Sequence, residues 1–291
     1  MTSSLSPEAA GLLGSLPPIR RARNWRLYGS DGKRYLDMYA DGGRSILGRR
    51  TGASGTVAKA SVDMGLCSPL PSFWEKRLEK AIRGMWPGFT GMRFFGSDTE
   101  ALLALAGISG DFRPLPENSK SIAEALFSFE KTIRVEFPFG VYRTDLEKDP
   151  AKLAFGGRFG LGILPLHPAW SFGIVLAREA ADLGQLAASC PVSALIPPVK
   201  LAVAVRSLAD FSAFALRYGE AHWSQMDTFT ATMFKRSGPW LYPAYPKTDH
   251  GHVFASCLAQ GILISPDYEC PSLVPGEFDK GEAAPLRSIP G

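Results

Sequence analysis

The sequence predicts an α/β fold, because strand-like and helix-like patterns alternate along it. Residues 25–39 alternate apolar and polar side chains around a Gly-Ser-Asp-Gly turn, which is typical of a β-hairpin. Residues 92–95 form a short apolar strand that runs through a turn of small residues into an apolar helix, 101–106. Residues 119–134 and 200–218 carry apolar side chains at helical spacing. Interleaved strands and helices indicate a sheet flanked by helices.

Composition excludes several classes of protein. The chain has 291 residues, 45% hydrophobic and 21% charged, which is too apolar for a disordered protein. Its formal charge of +4 is spread thinly, and the tight basic run at 19–23 is interpreted as a solvated segment, so no nucleic-acid partner is expected. The longest uncharged stretches, 160–177 and 183–199, contain prolines and polar residues, which indicates buried core and not membrane spans.

Cysteine usage and the start of the chain bear on localisation. Four widely separated cysteines without a Cys-x-x-Cys pair predict neither a metal site nor a disulfide framework, and they fit a reducing cytoplasm. The first residues carry no basic region ahead of a long apolar run, so no signal peptide is expected. Residues 1–24, rich in Ser, Gly and Pro, are predicted to form a flexible arm.

Two stretches carry a family resemblance. Residues 27–38 read L-Y-G-S-D-G-K-R-Y-L-D-M, and residues 94–101 read F-F-G-S-D-T-E-A. These resemble the opening hairpin and the F-x-N-S-G-T-E-A segment of the class III aminotransferases, pyridoxal-phosphate enzymes of fold type I. Residues 198–208 are similar to the helix that follows the catalytic lysine segment, and 253–266 to the unit ending in G-[IV]-L-[IV]-x-P. Together they cover a little over half of the chain.

The resemblance implies a truncated fold-type-I α/β architecture and a homodimer. It divides the chain into an arm (1–24), the N-terminal part of a small domain (25–90), a reduced large, cofactor-type domain (91–200) and a C-terminal small domain (201–291). It further implies that pyridoxal phosphate would bind through Ser97, Asp98 and Thr99, where the family holds the phosphate on backbone N–H groups. Lys200 is the candidate Schiff-base lysine, although its register matches the following helix.

The sequence departs from the family where the chemistry lies. Only about a hundred residues separate Glu100 from Lys200, and this interval contains no match to the ring-stacking aromatic with His-Gly or to the D-E-x strand end that pairs with the pyridine nitrogen. Asp98 replaces the glycine of the phosphate turn, where its carboxylate is expected to cap the helix and to repel phosphate. Lys131 is the second lysine considered, on the polar face of a predicted helix.

Two function hypotheses follow. One is a degenerate aminotransferase-like protein that acts as a binding or regulatory dimer; the other is an active pyridoxal-phosphate-dependent aminotransferase or aminomutase acting on a small amino compound. An unrelated enzyme on a convergent scaffold stays open as a third. The His-Gly-His run at 250–252 is interpreted as a surface loop, not a metal site, and the apolar stretch 160–199 is expected to form a dimer surface.

Overall fold

A computed structural model describes residues 5–49, 52–108, 134–137, 140–141, 158–182, 184 and 193–289. The described residues contain both α-helices and β-strands, which are numbered here in chain order. The helices are α1 (Pro7–Gly14), α2 (Gly52–Asp63), α3 (Phe73–Met85), α4 (Asp98–Ile108), α5 (Pro198–Arg217), α6 (Glu220–Trp223), α7 (Asp227–Thr230), α8 (His250–Ala259) and α9 (Lys280–Ala283). The strands are β1 (Ile19–Arg23), β2 (Arg26–Gly29), β3 (Arg34–Asp37), β4 (Gly91–Phe95), β5 (Arg134–Phe137), β6 (Gly140–Val141), β7 (Phe159–Gly162), β8 (Gly173–Ala177), β9 (Phe234–Ser237), β10 (Trp240–Pro243), β11 (Ile262–Leu263) and β12 (Ser272–Leu273).

The chain forms two compact units, one containing Gly52–Asp210 and the other Ser4–Thr51 with Phe211–Gly291. These boundaries differ from the predicted ones, because residues 52–90 and 201–210 group with the first unit. Within the first unit, five strands form one sheet in the order β4-β8-β7-β5-β6. β8 runs antiparallel to both of its neighbours, whereas β5 and β7 are parallel.

The second unit contains two sheets. The first has the order β1-β2-β3-β11, in which β11 pairs parallel to β3 although the two strands are far apart in the sequence. The second has the order β12-β10-β9. The predicted hairpin is confirmed as β2 and β3, with Leu27 opposite Tyr35 and Gly32 in the left-handed region at φ +80°.

The N-terminal region differs from the expected flexible arm. Ser6 caps α1 by accepting a hydrogen bond from the Ala9 N–H at 3.1 Å, and Leu12 and Leu13 of that helix pack against the core of the second unit. β1 pairs with β2 along the edge of the sheet. The Ser-Pro pair at 6–7 is a recognisable helix start, and it outweighs the loop-like composition.

The strands of the apolar stretch 160–199, which was predicted as a dimer surface, are buried within the first unit, although Leu195 is 51% exposed. Phe159, Leu161, Ile174 and Leu176 are each at most 1% exposed. Every residue of β7 and β8 is buried, so both faces of these strands are covered, and near-continuous apolar sequence is typical of such strands. β7 and β8 therefore need no second copy to cover them. Residues 119–133 of the predicted helix, which include Lys131, lie outside the described residues, and Arg134 is the first residue of β5.

Candidate functional site

The predicted strand–turn–helix unit is present at the edge of the five-stranded sheet. β4 ends at Phe95, and α4 begins at Asp98. Between them, the Ser97 hydroxyl oxygen accepts a hydrogen bond from the Glu100 N–H at 3.2 Å and lies 3.3 Å from the Glu100 carboxylate, to which it donates. The Gly96 N–H donates to the other oxygen of that carboxylate at 3.1 Å. Ser97 and Glu100 therefore bond two N–H groups of this turn, those of Gly96 and Glu100.

This arrangement corrects the prediction that Asp98 caps the helix. The capping side chain is Ser97, and Asp98 is the first helical residue, with only 5% of its surface exposed. Thr99, the third of the predicted phosphate ligands, is exposed. The Ser-x-x-Glu spacing of Ser97 and Glu100 is the sequence pattern of a capping box, and it can be recognised in the sequence alone. Carboxyl groups in the first turn also interact favourably with the helix dipole.

The turn is in close contact with the start of β8. A Cβ built on Gly173 would overlap the Ser97 carbonyl oxygen and would lie 2.7 Å from the Cβ of Ala101. Only glycine permits the two segments to approach so closely. The segment that leads into β8 is thus packed directly on the predicted anion-binding turn.

Lys200 lies in the first turn of α5, and its side chain reaches the segment that precedes β8. Its Nζ donates a hydrogen bond to the Ser171 carbonyl oxygen at 3.0 Å. About two helix turns further along, the Ser207 hydroxyl donates to the carbonyl of Pro165. The helix therefore holds the connection between β7 and β8 by two backbone carbonyls. Because Ser171 is two residues from Gly173, the structure brings Lys200 and the 97–99 turn into one region of the first unit.

A second cluster lies beside residues 43–48, a segment that begins and ends with glycine. Arg49 donates to Asp37 and to Asp41, each at 2.7 Å, and Asp37 is 1% exposed. Burial alone would lower the pKa of Arg49, but the two carboxylates together outweigh it and hold the pKa above its ordinary value. Ala40 and Asp41 have positive φ angles of 44° and 53°, which are strained for residues with a side chain. The ion pairs fix this loop.

The His-Gly-His run is not a surface loop, which corrects that prediction. His250 begins α8 and is buried, with its Nδ1 3.1 Å from the Tyr245 hydroxyl. Burial lowers the pKa of His250 below its ordinary value. Within the described residues, no group of three or more His, Cys, Asp or Glu side chains could hold a metal ion. None of the helices in the described part of the chain is long and apolar enough to cross a membrane.

Comparison with known proteins places this geometry in context. No family model matches the chain. An uncharacterized protein of Borreliella burgdorferi is 27% identical over 281 residues, which are 96% of this chain and 91% of that protein. Glutamate-1-semialdehyde 2,1-aminomutase of Syntrophobacter fumaroxidans is 28% identical over 113 residues, which are 38% of this chain and only 26% of that enzyme.

Two solved structures extend the likeness along the chain. A glutamate-1-semialdehyde aminomutase from Pseudomonas aeruginosa has a TM-score of 0.64 and 11% identity, covering 94% of this chain and 86% of its own. A β-phenylalanine aminotransferase from Variovorax paradoxus has a TM-score of 0.62 and 16% identity, covering 93% and 85%. The chain therefore has the fold of the class III, pyridoxal-phosphate aminotransferases, and the resemblance inferred from its sequence is confirmed at the level of the fold.

Proposed function

We propose that this protein is a homodimeric, aminotransferase-like binding or regulatory protein that does not carry out transamination. The observation that carries the proposal is Asp98, which replaces the glycine of the family's phosphate turn and places a carboxyl group in the first turn of α4. In this proposal the unit built from 52–210 corresponds to the reduced cofactor-type domain.

Electrostatics supports the proposal at the phosphate position. Two unit charges ~5 Å apart repel by about 3 kcal/mol at an effective dielectric constant of ~20. A phosphate placed on this turn would lie near the Asp98 carboxyl group, which belongs to the first turn of α4. A neutral glycine in place of Asp98, as in the family's segment, would contribute no such repulsion. The side chains on this turn do not fit a phosphate group.

The lysine supports the same conclusion. To form a Schiff base, the Lys200 amine would have to give up its hydrogen bond to the Ser171 carbonyl. The sequence between Glu100 and Lys200 also contains a single histidine, His167, which is followed by proline and not glycine. The His-Gly element that would accompany a stacking aromatic is therefore missing from this interval.

An active enzyme is the alternative, and one observation favours it. Lys200 bonds to Ser171, and the chain two residues further on packs against Ser97, so the amine and the turn lie near each other. An enzyme of this kind would use Lys200 on a small amino compound in the cytoplasm, with pyridoxal phosphate as the group that stabilises negative charge on the substrate carbon.

Covalent labelling with pyridoxal phosphate distinguishes the binding or regulatory protein from the active enzyme. Purified protein is incubated with pyridoxal phosphate, reduced with borohydride, and the modified lysines are mapped by mass spectrometry. We expect substoichiometric labelling shared with exposed lysines such as Lys247, because a site without a fitted phosphate gives only surface adducts. The Lys200→Arg variant is the control and is expected to change the labelling little. Stoichiometric labelling of Lys200 that disappears in Lys200→Arg would overturn the proposal and establish the enzyme.

A further inference from the structure

The first strand of the second unit is basic, exposed and open along one edge. β1 contains three exposed arginines, Arg20, Arg21 and Arg23, and no acidic residue. Among the described residues, β1 is the terminal strand of its sheet and pairs only with β2. An edge strand of this kind presents backbone N–H and C=O groups to which another extended chain can bond.

The side chains of β1 divide between the two faces of the sheet. Ala22 lies opposite Leu27 and packs against the core of the second unit. Arg21 and Arg23 flank Ala22, so they lie on the opposite, outer face of the sheet, because successive side chains of a strand alternate between faces. Residues two apart on a strand are separated by about 7 Å. The outer face therefore carries two guanidinium groups in a row along its open edge.

The same face already binds a carboxylate from within the chain. Glu282 of α9 accepts hydrogen bonds from Nε and Nη2 of Arg26 at 2.9 and 2.8 Å, and Nη2 of Arg34 lies 3.0 Å from it. Arg23 lies directly opposite Arg26, so β1 continues this group of arginines to the edge of the sheet. In the described part of the chain, no carboxylate forms an ion pair with an arginine of β1.

The two outer arginines of β1 are placed differently, and both placements favour an acidic ligand. The Arg21 guanidinium lies 4.2 Å from the centre of the Tyr28 ring on the neighbouring strand. This cation–π contact orients the planar group, so less conformational entropy is lost when it binds a carboxylate. Arg23 faces Arg26, and like charges directly opposite each other on a sheet are unfavourable. A carboxylate bound at the edge would relieve that repulsion.

Charge and geometry together identify the partner. A second copy paired along this edge would bring three more arginines against the first three, so self-association is unfavourable here. Residues 1–18 contain a single acidic residue, Glu8, which lies in α1 and not in an extended segment. Lysine would suffice to protect an edge strand from pairing, whereas the planar guanidinium of arginine binds a carboxylate through two parallel N–H groups. The partner is therefore extended and acidic, and it comes from another protein.

We infer that the open edge of β1 binds an extended acidic segment of another protein as an additional strand of the sheet. Its main chain pairs with β1, and carboxylates at alternate positions bond to Arg21 and Arg23. The inference goes beyond the proposed function, because it assigns a binding site in the second unit that does not depend on pyridoxal phosphate.

The test is the binding of a synthetic peptide to the full chain, measured by fluorescence anisotropy. The probe is an end-blocked, fluorescein-labelled peptide of three Glu-Val repeats, and the control peptide has the same composition with glutamates and valines in separate blocks. Arg21→Glu/Arg23→Glu reverses both charges at exposed side chains. Lys59→Glu/Lys76→Glu, at exposed lysines of the first unit, makes the same change in net charge and is the matched control. Circular dichroism checks that each variant is folded.

We expect the alternating peptide to bind the wild type and the lysine variant equally and the block peptide to bind more weakly. Arg21→Glu/Arg23→Glu should raise the dissociation constant at least about 30-fold. Arg21→Lys/Arg23→Lys should raise it about fivefold, because lysine keeps the charge but not the two parallel donors. The N–H groups of alternate residues point to the same edge of a strand, so N-methylation of either the glutamates or the valines should weaken binding much more than methylation of the other set.

Several outcomes would overturn the inference. These are no saturable binding of the alternating peptide, equal binding of the block peptide, equal effects of the two N-methylation patterns, and an unchanged dissociation constant in the charge-reversed variant. Tighter binding of an oligothymidylate than of the peptide would make the strand a nucleic-acid surface and would also refute it. If the charge-reversed variant unfolds, Arg21→Lys/Arg23→Lys must still weaken peptide binding, and an unchanged affinity there would refute the role of the arginines.

Discussion

Ser97 provides the sharpest test of how the helix start at residue 98 is built. Its hydroxyl accepts from the Glu100 N–H at 3.2 Å, so Ser97→Ala removes the acceptor and leaves that N–H to water. Loss of a Ser N-cap costs about 1 kcal/mol in most helices. The Glu100 carboxylate bonds the exposed Gly96 N–H, and its share is expected to be a few tenths of a kcal/mol. Ser97→Ala should therefore lower the free energy of unfolding by about 1 kcal/mol.

The assay is chemical denaturation followed by circular dichroism, with two comparison variants. Ser97→Asp supplies another capping oxygen and should restore most of the loss. Thr99→Ala alters an exposed side chain one position inside the helix and should change stability by less than about 0.5 kcal/mol. If Ser97→Ala and Ser97→Asp are equally stable, the hydroxyl does not act as the cap and the reasoning fails.

Three further predictions concern packing and charge. Gly173→Ala should destabilise by at least about 2 kcal/mol because its Cβ overlaps the 97–98 turn, whereas Gly84→Ala, a helical site with open space, should stabilise slightly; equal effects in denaturation would contradict this. Arg49→Met should cost about 3–5 kcal/mol by leaving Asp37 buried without its cation, and a near-neutral effect on unfolding would refute the buried pair. Burial lowers the pKa of His250, so the unfolded chain binds this proton more tightly and stability should fall as pH drops below about 6.5; a melting curve whose pH dependence is unchanged in His250→Phe would remove that assignment.

Local patterns in the sequence predicted the local structure. The β2–β3 hairpin follows from alternation around a turn with Gly at a left-handed position, and α5 follows from apolar side chains at helical spacing. β1 was missed because the edge strand at 19–23 is mostly charged and exposed, so no alternation marks it. The parallel pairing of β11 with β3 joins residues more than two hundred positions apart, and no local signal encodes such a contact.

The candidate site was predicted in part, and the reasons differ between residues. A strand followed by small residues predicts the position of the 97–99 turn. The choice of Asp98 as the cap was wrong, because the Ser-x-x-Glu spacing of a capping box indicates Ser97. The contact between Gly173 and Ser97 depends on how β4 and β8 pair, which the sequence alone does not reveal. The hydrogen bond from Lys200 to Ser171 is likewise a product of tertiary packing.

The first turn of α4 contains the carboxyl groups of Asp98 and Glu100, and these groups affect how the turn would bind an anion. A bound phosphate stabilises a protein by satisfying N–H groups at a helix start, and a ligand at 100 times its dissociation constant adds about 2.7 kcal/mol. Here the Asp98 carboxyl group lies in the first helical turn, where the family's segment has glycine. We therefore expect no saturable rise in melting temperature when phosphate or pyridoxal phosphate is added. Glu100→Gln keeps an acceptor for the Gly96 N–H and removes one charge, so it should respond to phosphate more than the wild type does. A saturable stabilisation of the wild type would show that the turn still accepts an anion.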